Sequence, residues 1–270
     1  MKWSLLLFGL VAVAGTAAAC EGLSPGDRFT SDSGSCTLGF LLVAPDGLYF
    51  STAGHCIREG ETVRNPDVGA FGVGAFRFLE PDTGSPSDGA PGDDFGLIRV
   101  DEDKHASLNP KICGWNGPVG VYTETPGSGG VKHWGHGMVF GDLGPTGQKR
   151  EGLQLRNDGD AFYWTGAGVP GDSGSAVIAD DGRALGVLTH LQLGLTRETN
   201  GGTHLERGLR LAADAGFRDL RLVLMGEDPV ALLAQLRAAP PADPATSTPP
   251  AENGTAPRPR APPASEAPPA

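Results

Sequence analysis

Past its first twenty residues the sequence has no apolar run approaching the roughly 20 residues that a membrane-spanning helix needs, so no later segment is expected to cross a bilayer. Positive charge is scarce, 21 Lys and Arg against 32 Asp and Glu, leaving a net charge of −11. Phosphate binding needs concentrated Lys and Arg, which argues against nucleic acid as a partner. The acidity fits simple solubility outside the cell. Cysteine is reduced to four residues, Cys20, Cys36, Cys56 and Cys113. None forms the close pair that zinc sites use, so no metal is expected. Helical periodicity is missing until after residue 200.

What is present begins with MKWSLLLFGLVAVAGTAAAC, which has a lysine, an apolar run and small residues ending at Ala19. That is the layout of a secretory signal over residues 1–19, and a secreted, extracellular protein is expected. Ala17-Ala18-Ala19-Cys20 also loosely resembles a bacterial lipoprotein box, although Ala17 stands where that box has leucine. Lipid anchoring at Cys20 is therefore the lesser alternative. In an exported chain four cysteines suggest two disulfides, with three connectivities open. From residue 240 on, eleven of the 23 prolines fall in a stretch without a large apolar residue. Such a segment cannot bury enough surface to offset its ordering entropy, and 240–270 is read as a disordered tail.

Between the ends lie about 210 residues, enough for one large all-β domain or two small barrels. Cys36 to Ala44 and Leu48 to Thr52 flank Pro45-Asp-Gly as a hairpin. Further strand-like runs are Phe95–Val100, Gly120–Thr123, Gly137–Phe140, Ala161–Trp164, Ser175–Ile178 and Ala184–Thr189, separated by Gly, Pro, Asp and Asn. Short strands at regular spacing predict a sandwich or barrel. Thr203-His-Leu-Glu206 reads as a capping box opening a helix with Leu205, Leu209 and Ala212 on one face and Gly216 as its stop. Asp228-Pro229 opens a second, with Val230, Leu233 and Leu236 facing inward.

Two phrases bear chemistry: STAGHC at 51–56 and GDSGSA at 171–176. A serine hydroxyl is unreactive near neutral pH unless a base takes its proton and backbone donors await the oxyanion. Gly171 and Gly174 allow the sharp turn that exposes Ser173 and its neighbouring N–H groups. A histidine base then needs a carboxylate to hold its tautomer. Each phrase alone also suits an ordinary turn or core histidine.

Together with Asp94-Phe-Gly-Leu-Ile98, in the order His, Asp, Ser, these phrases resemble the chymotrypsin-like (trypsin-like) serine peptidases, particularly their bacterial secreted branch, from about Asp27 to Gly216. The resemblance implies two antiparallel six-stranded β-barrels with C-terminal helices, barrel one about 27–108, barrel two about 119–202, closing helices 203–238. It makes His55 the base, Asp94 rather than Asp93 the orienting carboxylate and Ser173 the nucleophile, with the N–H groups of Gly171 and Ser173 as oxyanion hole. It also implies the disulfides Cys36–Cys56 and Cys20–Cys113. Three departures stand out: Gly54 replaces an alanine of the TAAHC phrase, Gly96 an alanine of D-x-A-L, and Ser175 the last glycine of GDSGG.

By the same resemblance the substrate pocket involves Ala167, Thr189, His190 and Leu191. Ala167 carries no carboxylate, and Leu191 stands where glycine is common, so a small or medium apolar residue is expected before the scissile bond. His190 could instead read an acidic residue, as a histidine does in the glutamate-specific branch, but it is offset by two positions. The expected activity is a serine endopeptidase acting on peptides or proteins as a monomer without cofactor. The alternatives are a silent binding module on the same fold and an esterase with weak peptidase activity. The amino-terminal Ile-Val-Gly-Gly that pairs with the Asp before the nucleophile in animal members does not occur, so Asp172 needs another partner, Lys132 or a nearby Arg. His133 and His136 are not spaced for a metal on a strand, His105 and His204 read as surface or cap residues, and Phe217–Ala238 has no functional reading.

Overall fold

The computed structural model describes residues 22–239 except 83–84, 114, 124–128, 138–146, 158 and 193–198. The signal segment, Cys20, the proline-rich tail and most of the run at 137–140 lie outside the described residues. The chain divides into two units, 1–238 and 239–270, and the first holds all the elements below.

The first half contains β1 (Arg28–Ser31), β2 (Gly34–Thr37), β3 (Leu41–Ala44), β4 (Gly47–Thr52), β5 (Thr62–Asn65), β6 (Gly69–Asp82) and β7 (Ser85–Val100). The second contains β8 (Gly130–Gly135), β9 (Gln148–Asn157), β10 (Ala161–Thr165), β11 (Ala176–Ala179), β12 (Ala184–Gln192) and β13 (Thr199–His204). Helix α1 (Leu205–Asp214), the short strand β14 (Arg221–Leu222) and helix α2 (Pro229–Ala238) complete the chain.

The fold is the expected all-β one. Strands β8 to β13 form a closed six-stranded barrel in the order β10-β13-β12-β11-β8-β9, and the other eight make a curled sheet, β14-β3-β4-β7-β6-β5-β1-β2. The predicted hairpin is present, with Ala44 opposite Gly47 across its turn. Of the run at 120–123, Val121 makes a single bridge to Ala184. Phe29, Leu41, Phe50, Val63 and Phe71 fill the concave side of the sheet. Val131, Phe162, Trp164 and Leu188 fill the barrel. A third cluster joins the halves, with Phe40 just before β3 and Phe95 and Leu97 of the sheet meeting Ile178 and Val187 of the barrel and Leu205 and Leu211 of α1.

The helices depart from the sequence reading in detail. Thr203 is not the cap of α1; it lies within β13, and His204, the last residue of that strand, is the capping position without a side-chain bond. The α1 face that is buried carries Leu205, Gly208, Leu211 and Ala212, with Gly216 in a left-handed conformation beyond the end (φ +101°). Asp228 does cap α2, its Oδ1 accepting from the N–H groups of Val230 at 2.9 Å and Ala231 at 3.1 Å. Leu232 and Leu233 face inward on α2, whereas Val230 is exposed. The stretch after Gly216 has a structural role: β14 pairs with β3, and α2 sends Leu232 and Leu233 into the core of the sheet.

Candidate active site

His55 lies in a one-turn 3₁₀ helix (Gly54–Cys56) at the end of β4. The disulfide Cys36–Cys56 ties that turn to β2. Cys36, His55 and Cys56 bring three possible metal-ligating atoms within 4.8 Å of one another. Both sulfurs are spent in the disulfide, so the set offers no thiolate to a metal. Cys113 is also disulfide-bonded, while Cys20, the partner expected for it, lies outside the described residues.

Asp94 is fully buried on β7 beside this turn. His55 Nδ1–H donates to Asp94 Oδ2 at 2.6 Å, and the His55 backbone N–H donates to Asp94 Oδ1 at 3.0 Å. Both carboxylate oxygens are thus used on one residue, which fixes the ring and leaves Nε2 as its other nitrogen. Asp93 has a different function in the fold, pairing with Arg207 of α1 at 2.6 Å. The Asp94 backbone is held from the barrel: Thr203 Oγ1 donates to Asp94 O at 2.9 Å and accepts from Gly92 N–H at 3.1 Å.

The glycine of the His phrase is required here. A β-carbon on Gly54 would overlap Phe78 O and stand 2.9 Å from Phe95 O and 3.0 Å from Asp94 Oδ1. Gly96 likewise makes room for Ile57, whose Cδ1 would be 2.9 Å from a β-carbon there. These two departures from the family's alanines trade side-chain volume against a closer main chain and a larger neighbour.

Ser173 sits between two glycines in left-handed conformations, Gly171 (φ +99°) and Gly174 (φ +87°). This turn touches the His phrase directly, because a β-carbon on Gly174 would overlap Thr52 Oγ1 and lie 3.2 Å from the Ala53 nitrogen. Thr37 clamps the turn from β2, its N–H donating to Ser173 O at 2.9 Å and its hydroxyl to Gly171 O at 2.8 Å. Ser175, buried, donates its hydroxyl to Asp172 O, so the serine that replaces the family's last glycine braces the turn. The N–H groups of Asp172, Gly174 and Ser175 are bonded to Val169 O, Leu188 O and Asp172 O. Those of Gly171 and Ser173 have no acceptor among the described residues, which leaves two backbone donors in this turn.

Beneath the turn, Asp172 is fully buried. Its cation is Arg150 of β9, with Nε 2.8 Å from Oδ2, and not Lys132, which pairs with Asp180 at 3.3 Å. Oδ1 accepts from Gly137 N–H at 2.7 Å, Oδ2 from Val169 N–H at 3.0 Å, and His133 Nε2 is 3.9 Å away. Burial pushes this carboxyl up, but His133, Arg150 and the Gly137 N–H outweigh it and hold it below the ordinary carboxylate range. His133 and Arg150 are opposite each other across β8 and β9, which puts both on the face toward Asp172. His204 is buried rather than superficial, its Nε2 2.8 Å from Asn157 Oδ1.

Of the expected pocket residues, Thr189 is buried, His190 and Leu191 are half-buried, and Ala167 is exposed next to the buried Gly168. Asn200, which the sequence reading missed, is opposite Leu191 on β13 and is also buried. Only the barrel register brings it to this place.

No family model matches the sequence, and no curated protein matches it. Solved structures do. The chain is similar to a chymotrypsin of Cellulomonas bogoriensis (TM-score 0.52, 22% identity, 75% of this chain and 100% of that one). It is similar to protease A of Thermobifida fusca (TM-score 0.52, 19% identity, 75% and 100%). A glutamic acid-specific serine protease that uses a histidine triad in substrate binding is another (TM-score 0.50, 16% identity, 71% and 98%). The fold is therefore that of the bacterial chymotrypsin-like serine proteases.

Proposed function

We propose that this chain is a secreted serine endopeptidase. The observation that carries the reading is the pair of hydrogen bonds from His55 to Asp94, at 2.6 Å and 3.0 Å, beside a glycine-flanked Ser173 turn. Ser173 Oγ attacks the peptide carbonyl carbon while His55 Nε2 takes its proton. The oxyanion is received by the N–H groups of Gly171 and Ser173. The C–N bond then breaks, His55 returns the proton to the leaving amine, and an acyl-serine remains. Water, deprotonated by His55, attacks that ester; the bond to Ser173 Oγ breaks, His55 returns the proton to that oxygen, and the acid leaves.

The disulfides fit an oxidising compartment and hence the secretory reading of residues 1–19. A peptidase of this design needs Asp172 to be neutralised internally, and Arg150 supplies that charge. Ala167 brings no carboxylate to the pocket, so the residue before the scissile bond is a small or medium apolar one rather than Lys or Arg.

Treatment of the folded, signal-cleaved protein with a fluorophosphonate, followed by peptide mapping, tests this. One adduct on Ser173, lost in His55→Ala, is expected. Labelling at other residues alone, or none, would overturn the assignment. Side-by-side rates on a peptide and its matching ester then separate a peptidase from an esterase.

A further inference from the structure

Asp94 is where the ladder between β6 and β7 goes out of step. It stands opposite Leu79, and the next pairing, Gly89 with Pro81, follows a shift of register. Strand β4 has already ended, at Thr52 opposite Gly96. The sheet thus stops holding β7 firmly at the residue that serves His55, and residues from the far half of the chain take over. Thr203 of β13 engages Gly92 N–H and Asp94 O with one hydroxyl, at 3.1 Å and 2.9 Å. Arg207, in the first turn of α1, donates from Nη2 to Asp93 Oδ1 at 2.6 Å and from Nε to Gly92 O at 3.3 Å. Its Nε is also 3.5 Å from Asp160 Oδ2 of the second half. Gly208 lies against Phe95, where a β-carbon would be 2.3 Å from ring Cδ2.

Resting on the peptidase reading, the structure assigns Thr203 and Arg207 as positioning residues for catalysis, a clamp across the two halves that aligns Asp94 with His55. Every residue from Gly92 to Phe95 is gripped, and each grip comes from β13 or α1. Asp93 is the handle: its carboxylate draws Arg207 to the position next to Asp94, and Arg207 neutralises a charge that would otherwise stand one residue from the triad. Both bonds from His55 to Asp94 depend on where this main chain sits. A misplacement of about 1 Å far from the chemistry can cost on the order of 100-fold in rate. The clamp touches neither the substrate nor His55, so its effect passes through Asp94 alone.

Steady-state turnover of a chromogenic peptide, counted per site titrated with a fluorophosphonate, tests this in the whole protein. Arg207→Ala, Asp93→Ala and Thr203→Val should each lower kcat by about tenfold or more with KM within about threefold, since the clamp aligns a catalytic group and binds no substrate. The acid limb of the kcat/KM profile should move to lower pH, because a misaligned carboxylate supports the charged His55 ring less. Arg207→Ala combined with Asp93→Ala should lose no more than either alone; if one of the two fails to fold, the other cuts the same bond. Thr203→Ser keeps the hydroxyl and should restore turnover. Arg210→Ala is the control, since Arg210 pairs with Asp160 from the same helix without a bond to 92–95 among the described residues, and its kcat is expected within about twofold of wild type. Unchanged kcat and acid limb in Arg207→Ala and Thr203→Val overturn the clamp. So does a loss in Thr203→Ser equal to that in Thr203→Val, which would place the effect in packing. A wild type that takes no fluorophosphonate brings down the peptidase reading itself.

Discussion

Asp94 gives both carboxylate oxygens to His55, Oδ2 to the ring Nδ1–H at 2.6 Å and Oδ1 to the backbone N–H at 3.0 Å. The ring is therefore oriented and its tautomer fixed by a single buried residue. Asp94→Asn keeps the shape but presents an amide N–H to one of those donors, favouring the wrong tautomer. The expected result is a fall in kcat/KM of about 10⁴-fold with little change in melting temperature. A loss below tenfold would mean that this carboxylate does not serve the reaction.

Arg150 and Asp172 form a buried pair, and removing one partner strands the other charge. Arg150→Met should cost about 3–5 kcal/mol in a urea titration and abolish labelling of Ser173, because the turn is anchored on Asp172. Lys132→Ala is the comparison. Its pairing with Asp180 is largely solvated, and a loss under about 1 kcal/mol is expected.

Gly54→Ala restores the residue common in the TAAHC phrase and should nevertheless do harm. Its methyl would be driven into Phe78 O beside Asp94. A destabilisation of about 1–3 kcal/mol is expected, together with slower labelling, since relief moves the His55 turn. A neutral or stabilising result would show that the main chain there yields freely.

Asp27 gives a pH test. Its carboxyl is pushed up to about 7 by burial, opposed by the Ser24 N–H and reinforced by the negative charge of Asp67. Between pH 4 and 7 the folded form holds a proton that the unfolded form has released. Its contribution is thus full below about pH 4 and lost as pH rises through 7, on the order of 4 kcal/mol at most. Asp27→Asn should flatten the decline of the urea midpoint across that window. The same slope in both proteins would assign the decline to other groups.

The phrases around His55, Asp94 and Ser173, and the hairpin that brings Cys36 to Cys56, could be read from the sequence because each is local. What could not be read depends on which strand faces which. Arg150 reaches Asp172 because β9 is in register with β8, opposite His133. Asn200 reaches Gly168 because β13 lies between β10 and β12. Thr203 has the spacing of a capping box, yet its hydroxyl goes to the Asp94 and Gly92 main chain. There a tertiary bond outcompeted a local one. Gly54 looked like a tolerated variation and is a steric requirement, visible only once Phe78 O is in place.

Strand β14 pairs Arg221 with Val43 and Leu222 with Leu42, and α2 then packs its leucines beneath the same sheet. The sheet that presents His55 and Asp94 is thus finished by residues among the last of the folded chain to be synthesised. Closing its β3 edge requires a loop closure spanning most of the domain, the kind of long-range contact that slows folding. A chain that stops before β14 has the histidine and the aspartate but an open sheet edge at β3. Docking of β14 and α2 is then itself the event that closes the sheet behind His55 and Asp94.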